Sequence, residues 1–215
     1  KLHNPFYDGS TSSGISGFFI YMYGVKNIKL TDNNFDYALF GIRASDAFFN
    51  VDVANTKTGI NSFANMFTGI AIDNTQTSVL GHVIRNSNFS KTHTSVSLRS
   101  SSYDYLLNNF FNKGNDNQAS NFYGISLSNT SNFNILDNTF QKLQFGIYCT
   151  NSGNAASLIG VSKIGNTFTI CNTGIVTIES NSMLNIHCNN FDNNAALNYG
   201  GRTWNVSGTL SNQGK

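Results

Sequence analysis

Side chains that could perform acid–base or metal chemistry are few and scattered in this sequence of 215 residues. It contains 11 Asp and Glu together, with Glu179 the single glutamate, and four His. A lyase acting on acidic sugars needs clustered carboxylates for Ca²⁺ and a base, whereas a glycosidase needs two carboxyl groups roughly 5–9.5 Å apart. No short motif supplies either arrangement, and we interpret His82, His93 and His187 as ordinary turn or wall residues. The sequence therefore predicts no catalytic residue, no metal site and no cofactor.

Three cysteines, Cys149, Cys171 and Cys188, are a second possible source of chemistry. Their spacing does not match a metal-binding motif, and an odd number leaves at least one unpaired if a disulfide forms. Free cysteine is among the most buried residue types, so we interpret these residues as small members of the core. Cys149 in particular is predicted to be buried and unreactive.

The composition indicates that the residues named above lie on short extended segments and turns, not on helices. Only 11% of the chain is charged, and it contains 34 Asn, 25 Ser and 18 Thr, whose side chains disfavour helix interiors. A hydrophobic share of 40% is too high for a disordered chain, and 19 Gly with one Pro indicate short extended segments joined by turns. A net charge of +2 without a Lys/Arg run argues against a nucleic-acid partner, and no stretch has the roughly 20 apolar residues of a membrane span.

Two columns of residues repeat along the chain with a period of 21 to 30 residues. One is led by glycine, or by serine once, and begins at Gly41, Gly69, Ser95, Gly124, Gly146 and Gly174. The other has the form Asn-x-Phe and places its aromatic residues at Phe35, Phe63, Phe110, Phe140, Phe168 and Phe191, with Ser87 replacing Asn before Phe89. Since each unit also contains short alternating apolar runs, three strands per unit would enclose a narrow core.

These repeats predict an all-β fold, a right-handed parallel β-helix of about seven to eight coils. Equivalent positions of successive coils lie over one another, so phenylalanines should stack inside and asparagines should form amide ladders at the turns. Outward positions of the glycine-led strands form a candidate ligand-binding groove, whose residues are Arg43, Asp73, Arg99, Tyr148 and Glu179. Within it, Asp73 and Arg99 are expected to form a surface ion pair worth at most about 1 kcal/mol.

The β-helix is predicted to occupy residues 17–206 as one domain. Residues 1–16 carry no repeat column and are interpreted as a lead-in, and residues 207–215 as an exit linker to a further part of a larger protein. Residues 112–122 and 150–160 break the period and are predicted to be loops that stand away from the rod.

The turns in Asn134-Ile135-Leu136-Asp137-Asn138-Thr139-Phe140, together with the Gly-Ile-led strands, resemble the repeats of the pectate-lyase-like superfamily. The resemblance covers about residues 17–206 and implies the fold, but not one activity, because this fold serves lyases, hydrolases, epimerases, tailspikes and plain surface proteins. The Asp-Asp and Gly-His-Gly motifs of its polygalacturonases are absent from the sequence. In its Asn/Ser/Thr richness the chain also resembles secreted Bacteroidota surface proteins exported by the type IX pathway.

The resulting functional prediction is a non-enzymatic, extracellular or cell-surface β-helix segment, structural or glycan-contacting, as in a stalk or adhesin. Its partners would be the rest of a larger polypeptide or neighbouring subunits at the open solenoid ends, and polysaccharide. One alternative is a polysaccharide-active enzyme or a carbohydrate-binding module, with sugars docking near Tyr148 and the 150–160 loop. Another is a tailspike-like segment that forms an obligate trimer.

Overall fold

The chain folds as a parallel β-solenoid that winds repeatedly through the same three faces, which confirms the predicted all-β parallel β-helix. A computed structural model describes residues 2–3, 17–52, 61–74, 81–114, 122–181, 183–192 and 204–208. All regular structure in these ranges is β-strand, and the paired strands run parallel. The neutral polar turns and short alternating runs of the sequence account for this, since neither favours a helix.

The strands are short except for three that span two faces of the coil. In chain order they are β1 (Leu2–His3), β2 (Phe18–Tyr23), β3 (Ile28–Leu30), β4 (Asn34–Ser45), β5 (Phe49–Val51), β6 (Asn61–Asp73), β7 (Val83–Arg85), β8 (Ser87–Arg99), β9 (Tyr105–Leu107), β10 (Phe110–Asn112), β11 (Tyr123–Ser128), β12 (Asn134–Leu136), β13 (Thr139–Gln141), β14 (Phe145–Thr150), β15 (Leu158–Ile159), β16 (Thr167–Thr169), β17 (Thr173–Ile178), β18 (Asn185–Ile186), β19 (Asn190–Asp192) and β20 (Trp204–Gly208).

Two parallel sheets form the three faces. A 13-stranded sheet carries both the phenylalanine-bearing and the glycine-led faces, because the long strands β4, β6 and β8 pass around the corner between them. In later coils the same path is divided between β10 and β11, β13 and β14, and β16 and β17. The third face is a 7-stranded sheet in the order β18-β15-β12-β9-β7-β5-β3. From the first to the last of its seven strands, this sheet spans about 6 turns, slightly fewer than the predicted seven to eight coils. The terminal strands β1 and β20 pair only in the larger sheet and are not counted here.

A stack of seven phenylalanine rings runs through the core. Its members are Phe35, Phe63, Phe89, Phe111, Phe140, Phe168 and Phe191, and neighbouring ring centroids lie 4.7 to 5.0 Å apart. The stack confirms the predicted column with one correction: Phe111, not Phe110, is the fourth member. Phe111 is fully buried and pairs with Phe89 and Phe140, whereas Phe110 is 37% exposed.

The amide ladder predicted at the turns is present beside this stack. The backbone N–H of Asn138 and its side-chain amide both donate to Oδ1 of Asn166, each at 3.0 Å. Asn109 donates to Asn138 in the same way, and Asn166 to Asn189. The ladder residue is Asn109 rather than Asn108, which agrees with the shift from Phe110 to Phe111. Each asparagine satisfies buried backbone groups without adding a charge to a column of equivalent positions.

The glycine-led column is required by the close approach of this stack. A Cβ on Gly146 would lie 2.5 Å from the ring of Phe168 and 2.6 Å from the carbonyl oxygen of Gly174. An equivalent atom on Gly124 would meet the ring of Phe140 and the carbonyl oxygen of Gly146 at 2.6 and 2.5 Å. Both sequence columns therefore describe one contact, between a core ring and the bare backbone of the glycine-led strand in the preceding coil.

One predicted loop belongs to the rod instead. Residues 150–160 contain β15 of the 7-stranded sheet, and Ser152 is 1% exposed because its backbone N–H donates to Asn181 Oδ1 at 3.0 Å. The prediction of a loop there was wrong, since serine replaces asparagine at a ladder position and β15 is too short to show alternation. The predicted loop at 112–122 falls largely outside the described residues, as do most of the lead-in at 1–16 and of the linker at 207–215.

Candidate functional site

The five residues of the predicted groove lie along the glycine-led face but do not converge on one point. Only Asp73 and Arg99, directly paired in β6 and β8, come together, with Oδ1 and Nε 3.5 Å apart. This is the predicted exposed ion pair, since the Arg99 side chain is 69% exposed. Arg43 instead places its guanidinium 5.3 Å from the Phe40 ring.

Glu179 lies far from the carboxylate that could have been its partner. The register of the paired strands runs through Asp73, Arg99, Ser128, Thr150 and Ile178, and Glu179 follows the last of these. Four steps of one strand spacing amount to roughly 19 Å. These two carboxylates are too far apart to act as a glycosidase pair or to share a metal ion.

The structure gathers a group of aromatic side chains around Tyr148, and we call Phe67, His93, Tyr123, Phe145 and Tyr148 the aromatic patch. The rings of Tyr123 and Phe145 stack with centroids 5.1 Å apart. Tyr148 meets both edge-on, at 5.5 and 5.6 Å. His93 stacks on Phe67 at 4.6 Å and lies 6.0 Å from Tyr123. Every member is half-buried, so the patch presents ring surface to solvent across four successive coils.

Parallel register explains how the patch forms. Thr94, Tyr123 and Phe145 are direct partners in adjacent strands, each one residue before the glycine-led column. Among these residues, sequence reasoning identified only Tyr148 as a candidate. Aligning the residues that precede Gly124 and Gly146 would have placed Tyr123 next to Phe145, because equivalent positions stack.

Electrostatics leave the patch itself uncharged at neutral pH. Burial lowers the pKa of His93 below its ordinary value, so its ring is neutral at pH 7. In register with Tyr148, the half-buried residues Ser126 and Ser97 of β11 and β8 add neutral hydroxyl groups to this face. The surface therefore combines aromatic faces with neutral hydrogen-bonding groups.

A second polar cluster, around His82, is buried in the core. Nδ1 of His82 lies 2.6 Å from Asp104 Oδ1, and Nε2 lies 2.6 Å from the carbonyl oxygen of Ala47. Ser101 Oγ donates to Asp104 Oδ2 at 2.6 Å. Since His82, Asp104 and Ser101 are all 0% exposed, no substrate reaches them, and the cluster is structural. His82 directly precedes β7 and has a structural role, as interpreted from the sequence, but its side chain is buried in the core rather than placed at the surface.

The cysteines differ in their access to solvent. Cys149 and Cys171 are buried, and burial raises the pKa of each thiol to about 12. Cys149 pairs in register with Leu127, which confirms its predicted inward position, whereas Cys188 is exposed and is not a core residue. Within the described ranges, no three His, Cys, Asp or Glu side chains are placed to hold one metal ion.

This difference predicts a simple labelling pattern for the native protein. Only the thiolate reacts quickly with disulfide reagents, so Cys188 should react rapidly while Cys149 and Cys171 react only as the protein opens. Titration with 5,5′-dithiobis(2-nitrobenzoic acid) should give one fast thiol, and a Cys188→Ser variant should give none. The denatured chain serves as the control, with all three reacting. Rapid labelling of Cys149 in the native Cys188→Ser variant would contradict its inward position in β14.

The described fold makes this chain a parallel β-helix repeat protein. The model of the NosD family, described as periplasmic copper-binding protein, matches residues 6–213, and the chain therefore belongs to that family. Comparisons with curated proteins and with solved structures gave no significant match. In the parts of the chain that the structure describes, no helix has the length and apolar character needed to span a membrane.

Proposed function

We propose that this chain is a non-enzymatic β-helix segment of an extracytoplasmic protein and that it contacts glycans through the aromatic patch. The family description names a periplasmic protein, which supports a location outside the cytoplasm. Display at the cell surface and type IX export are finer parts of the proposal, supported only by the resemblance in composition. The observation that carries the glycan contact is the patch itself.

Aromatic rings suit sugars because each pyranose has faces of C–H groups and a rim of hydroxyls. Tyr123 and Tyr148 offer apolar ring surface with a polar hydroxyl at the tip, and Ser97 and Ser126 add neutral donors and acceptors beside them. Contiguous apolar surface on a soluble protein is typical of a binding site. Since the patch crosses four coils, it fits an extended chain lying along the rod better than a single small molecule.

Three carboxylates of the described residues are engaged in contacts within the protein, which supports binding without turnover. Asp73 is paired with Arg99, and Asp52 is held by Nε and Nη2 of Arg85, the latter bond being 2.6 Å. Asp104 is buried with His82. A carboxylate engaged in such a contact is not positioned to transfer a proton to or from a bound sugar.

Copper, which the family description names, does not fit the donor groups described. Copper ions prefer Cys, Met and His ligands. The thiols of Cys149 and Cys171 are buried and protonated, and both ring nitrogens of His82 are engaged. His187 and Cys188 are exposed neighbours, but they are two donors, and no three His, Cys, Asp or Glu side chains of the described ranges are placed to hold one metal ion. Copper therefore enters no step of the proposed function.

The proposal predicts retention of the protein by polysaccharide without turnover. In affinity electrophoresis, a Tyr123→Ala/Tyr148→Ala double variant should lose about tenfold in apparent affinity, because two ring contacts are removed. Tyr103→Asn is the matched control, since Tyr103 is an exposed tyrosine outside the patch and asparagine accepts its φ of 63° well. The same polysaccharides, assayed for reducing ends and product absorbance, should remain intact. Turnover that disappears in an Asp73→Asn/Glu179→Gln variant would instead establish an enzyme.

A further inference from the structure

Three lysines occupy one corner of the β-helix in consecutive coils, and we call Lys91, Lys113 and Lys142 the lysine column. Each follows directly after a paired strand residue, in the register Ser90, Asn112 and Gln141. The backbone N–H groups of Lys113 and Lys142 donate to the next coil in the same way, to the carbonyl oxygens of Gln141 and Thr169. One strand spacing, about 4.8 Å, therefore separates the backbones of successive lysines.

Local contacts hold the side chains of Lys91 and Lys113 along the rod. A Cβ on Gly114, which has φ +76°, would lie 2.9 Å from Cγ of Lys91, so the stem of Lys91 covers the backbone of the next coil. Nζ of Lys113 lies 4.8 Å from the centroid of the Phe122 ring. A lysine stem that packs on neighbouring residues keeps its ammonium group at the surface.

The lysine column borders the aromatic patch. Phe122, beneath the ammonium of Lys113, comes directly before Tyr123, and its ring lies 6.3 Å from that of His93. Lys91 precedes His93 by two residues, and Lys142 precedes Phe145 by three. Each of these three coils thus presents a lysine at the corner and an aromatic ring of the patch on the adjoining face.

From this juxtaposition we infer that the ligand of the aromatic patch is an anionic polysaccharide and that the lysine column binds its acidic groups. The inference rests on the proposed glycan contact and adds the charge of the ligand to it. Charges of one sign repeated in three consecutive coils match a polymer that carries opposite charges on successive monomers. The patch supplies ring contacts to the sugars, while the ammonium groups select polymers with carboxylate or sulfate groups.

An anionic membrane surface would share the same charge chemistry, but the rings favour a polysaccharide. Interfacial aromatic residues must project into the lipid headgroups. None of the patch rings is among the exposed large hydrophobic side chains of the described residues, and all five are half-buried in the sheet face. A flexible polymer can follow such a surface, whereas a bilayer cannot.

Dextran and dextran sulfate provide a direct test, because they share a backbone and differ in charge, and alginate adds a carboxylated polymer. Wild-type protein should bind dextran sulfate and alginate more tightly than dextran, with the preference lost as the salt concentration approaches 1 M. A Lys91→Gln/Lys113→Gln/Lys142→Gln variant should lose about tenfold to a hundredfold in affinity for the charged polymers. Binding to dextran should stay unchanged in this variant.

A Lys26→Gln/Lys29→Gln/Lys163→Gln variant is the control, because it removes the same charge from sites outside the column and should keep the preference. Equal binding of dextran and dextran sulfate, or equal losses in both triple variants, would overturn the inference while leaving the glycan contact standing. Failure to bind any polysaccharide would overturn both. Sedimentation with phosphatidylglycerol vesicles completes the test, since tighter binding to vesicles than to the charged polymers would assign the column to a membrane surface.

Discussion

Replacing Phe140 with alanine is expected to lower the free energy of unfolding by about 3–5 kcal/mol, because the ring is fully buried and leaves a cavity. Its centroid lies 4.8 Å from that of Phe111 and 4.7 Å from that of Phe168, so the substitution interrupts the stack on both sides. Neighbouring coils cannot close the gap, since their spacing is fixed by the parallel strand pairing of β10, β13 and β16. Urea denaturation followed by far-UV circular dichroism measures the loss.

Phe110→Ala is the matched control for this prediction. Phe110 is 37% exposed and lies outside the stack, so its truncation should change the free energy of unfolding by about 0.5 kcal/mol or less. The comparison also tests the register, because the sequence pattern alone favoured Phe110 as the stack member. A loss below about 1 kcal/mol for Phe140→Ala would show that the ring is not a core residue. A large loss for Phe110→Ala would restore the predicted register.

Much of the fold could be predicted because stacking repeats the same physical requirement in every coil. Glycine lies where a core ring presses on the glycine-led strand of the preceding coil, as at Gly124 and Gly146, so the requirement appears in the sequence as a period. The error at Phe110 arose where Asn108-Asn109-Phe110-Phe111 fits the Asn-x-Phe pattern in two frames. The bond from Asn109 to Asn138 distinguishes these frames, and it joins residues 29 positions apart.

The candidate site was harder to predict because its residues do not repeat. Tyr148 was identified from its outward position, but its neighbours Tyr123 and Phe145 lie in a column that holds phenylalanine in some coils and threonine in others, so no period marks them. His82 and Asp104 likewise pair once, between two adjacent coils, and no period reveals such a contact. Periodicity therefore predicts the core contacts that recur from coil to coil. The aromatic patch and the His82–Asp104 pair depend on residues that occur once, and these can be placed together only after the strand register is known.

The buried pair of His82 and Asp104 gives the second large expected effect. Asp104→Ala should lower the free energy of unfolding by about 3–5 kcal/mol, because it removes one partner of a fully buried pair. It leaves Nδ1 of His82 and the hydroxyl of Ser101 without their acceptor, in a site from which water is excluded. The packing of His82 against the Phe49 ring, at 4.9 Å, prevents the imidazole from turning toward solvent.

Two variants separate the effect of burial from the effect of charge. Asp73→Ala removes a carboxylate from the exposed pair with Arg99 and should cost about 1 kcal/mol or less. Asp104→Asn keeps the shape of the buried side chain: its amide can donate to Nδ1 of a neutral imidazole and its oxygen can accept from Ser101, while Nε2–H still donates to Ala47. Its loss should therefore fall between those of the two alanine variants, at about 1–2 kcal/mol. Equal losses for Asp104→Ala and Asp73→Ala would mean that His82 does not depend on Asp104 and that the core tolerates an unpaired imidazole.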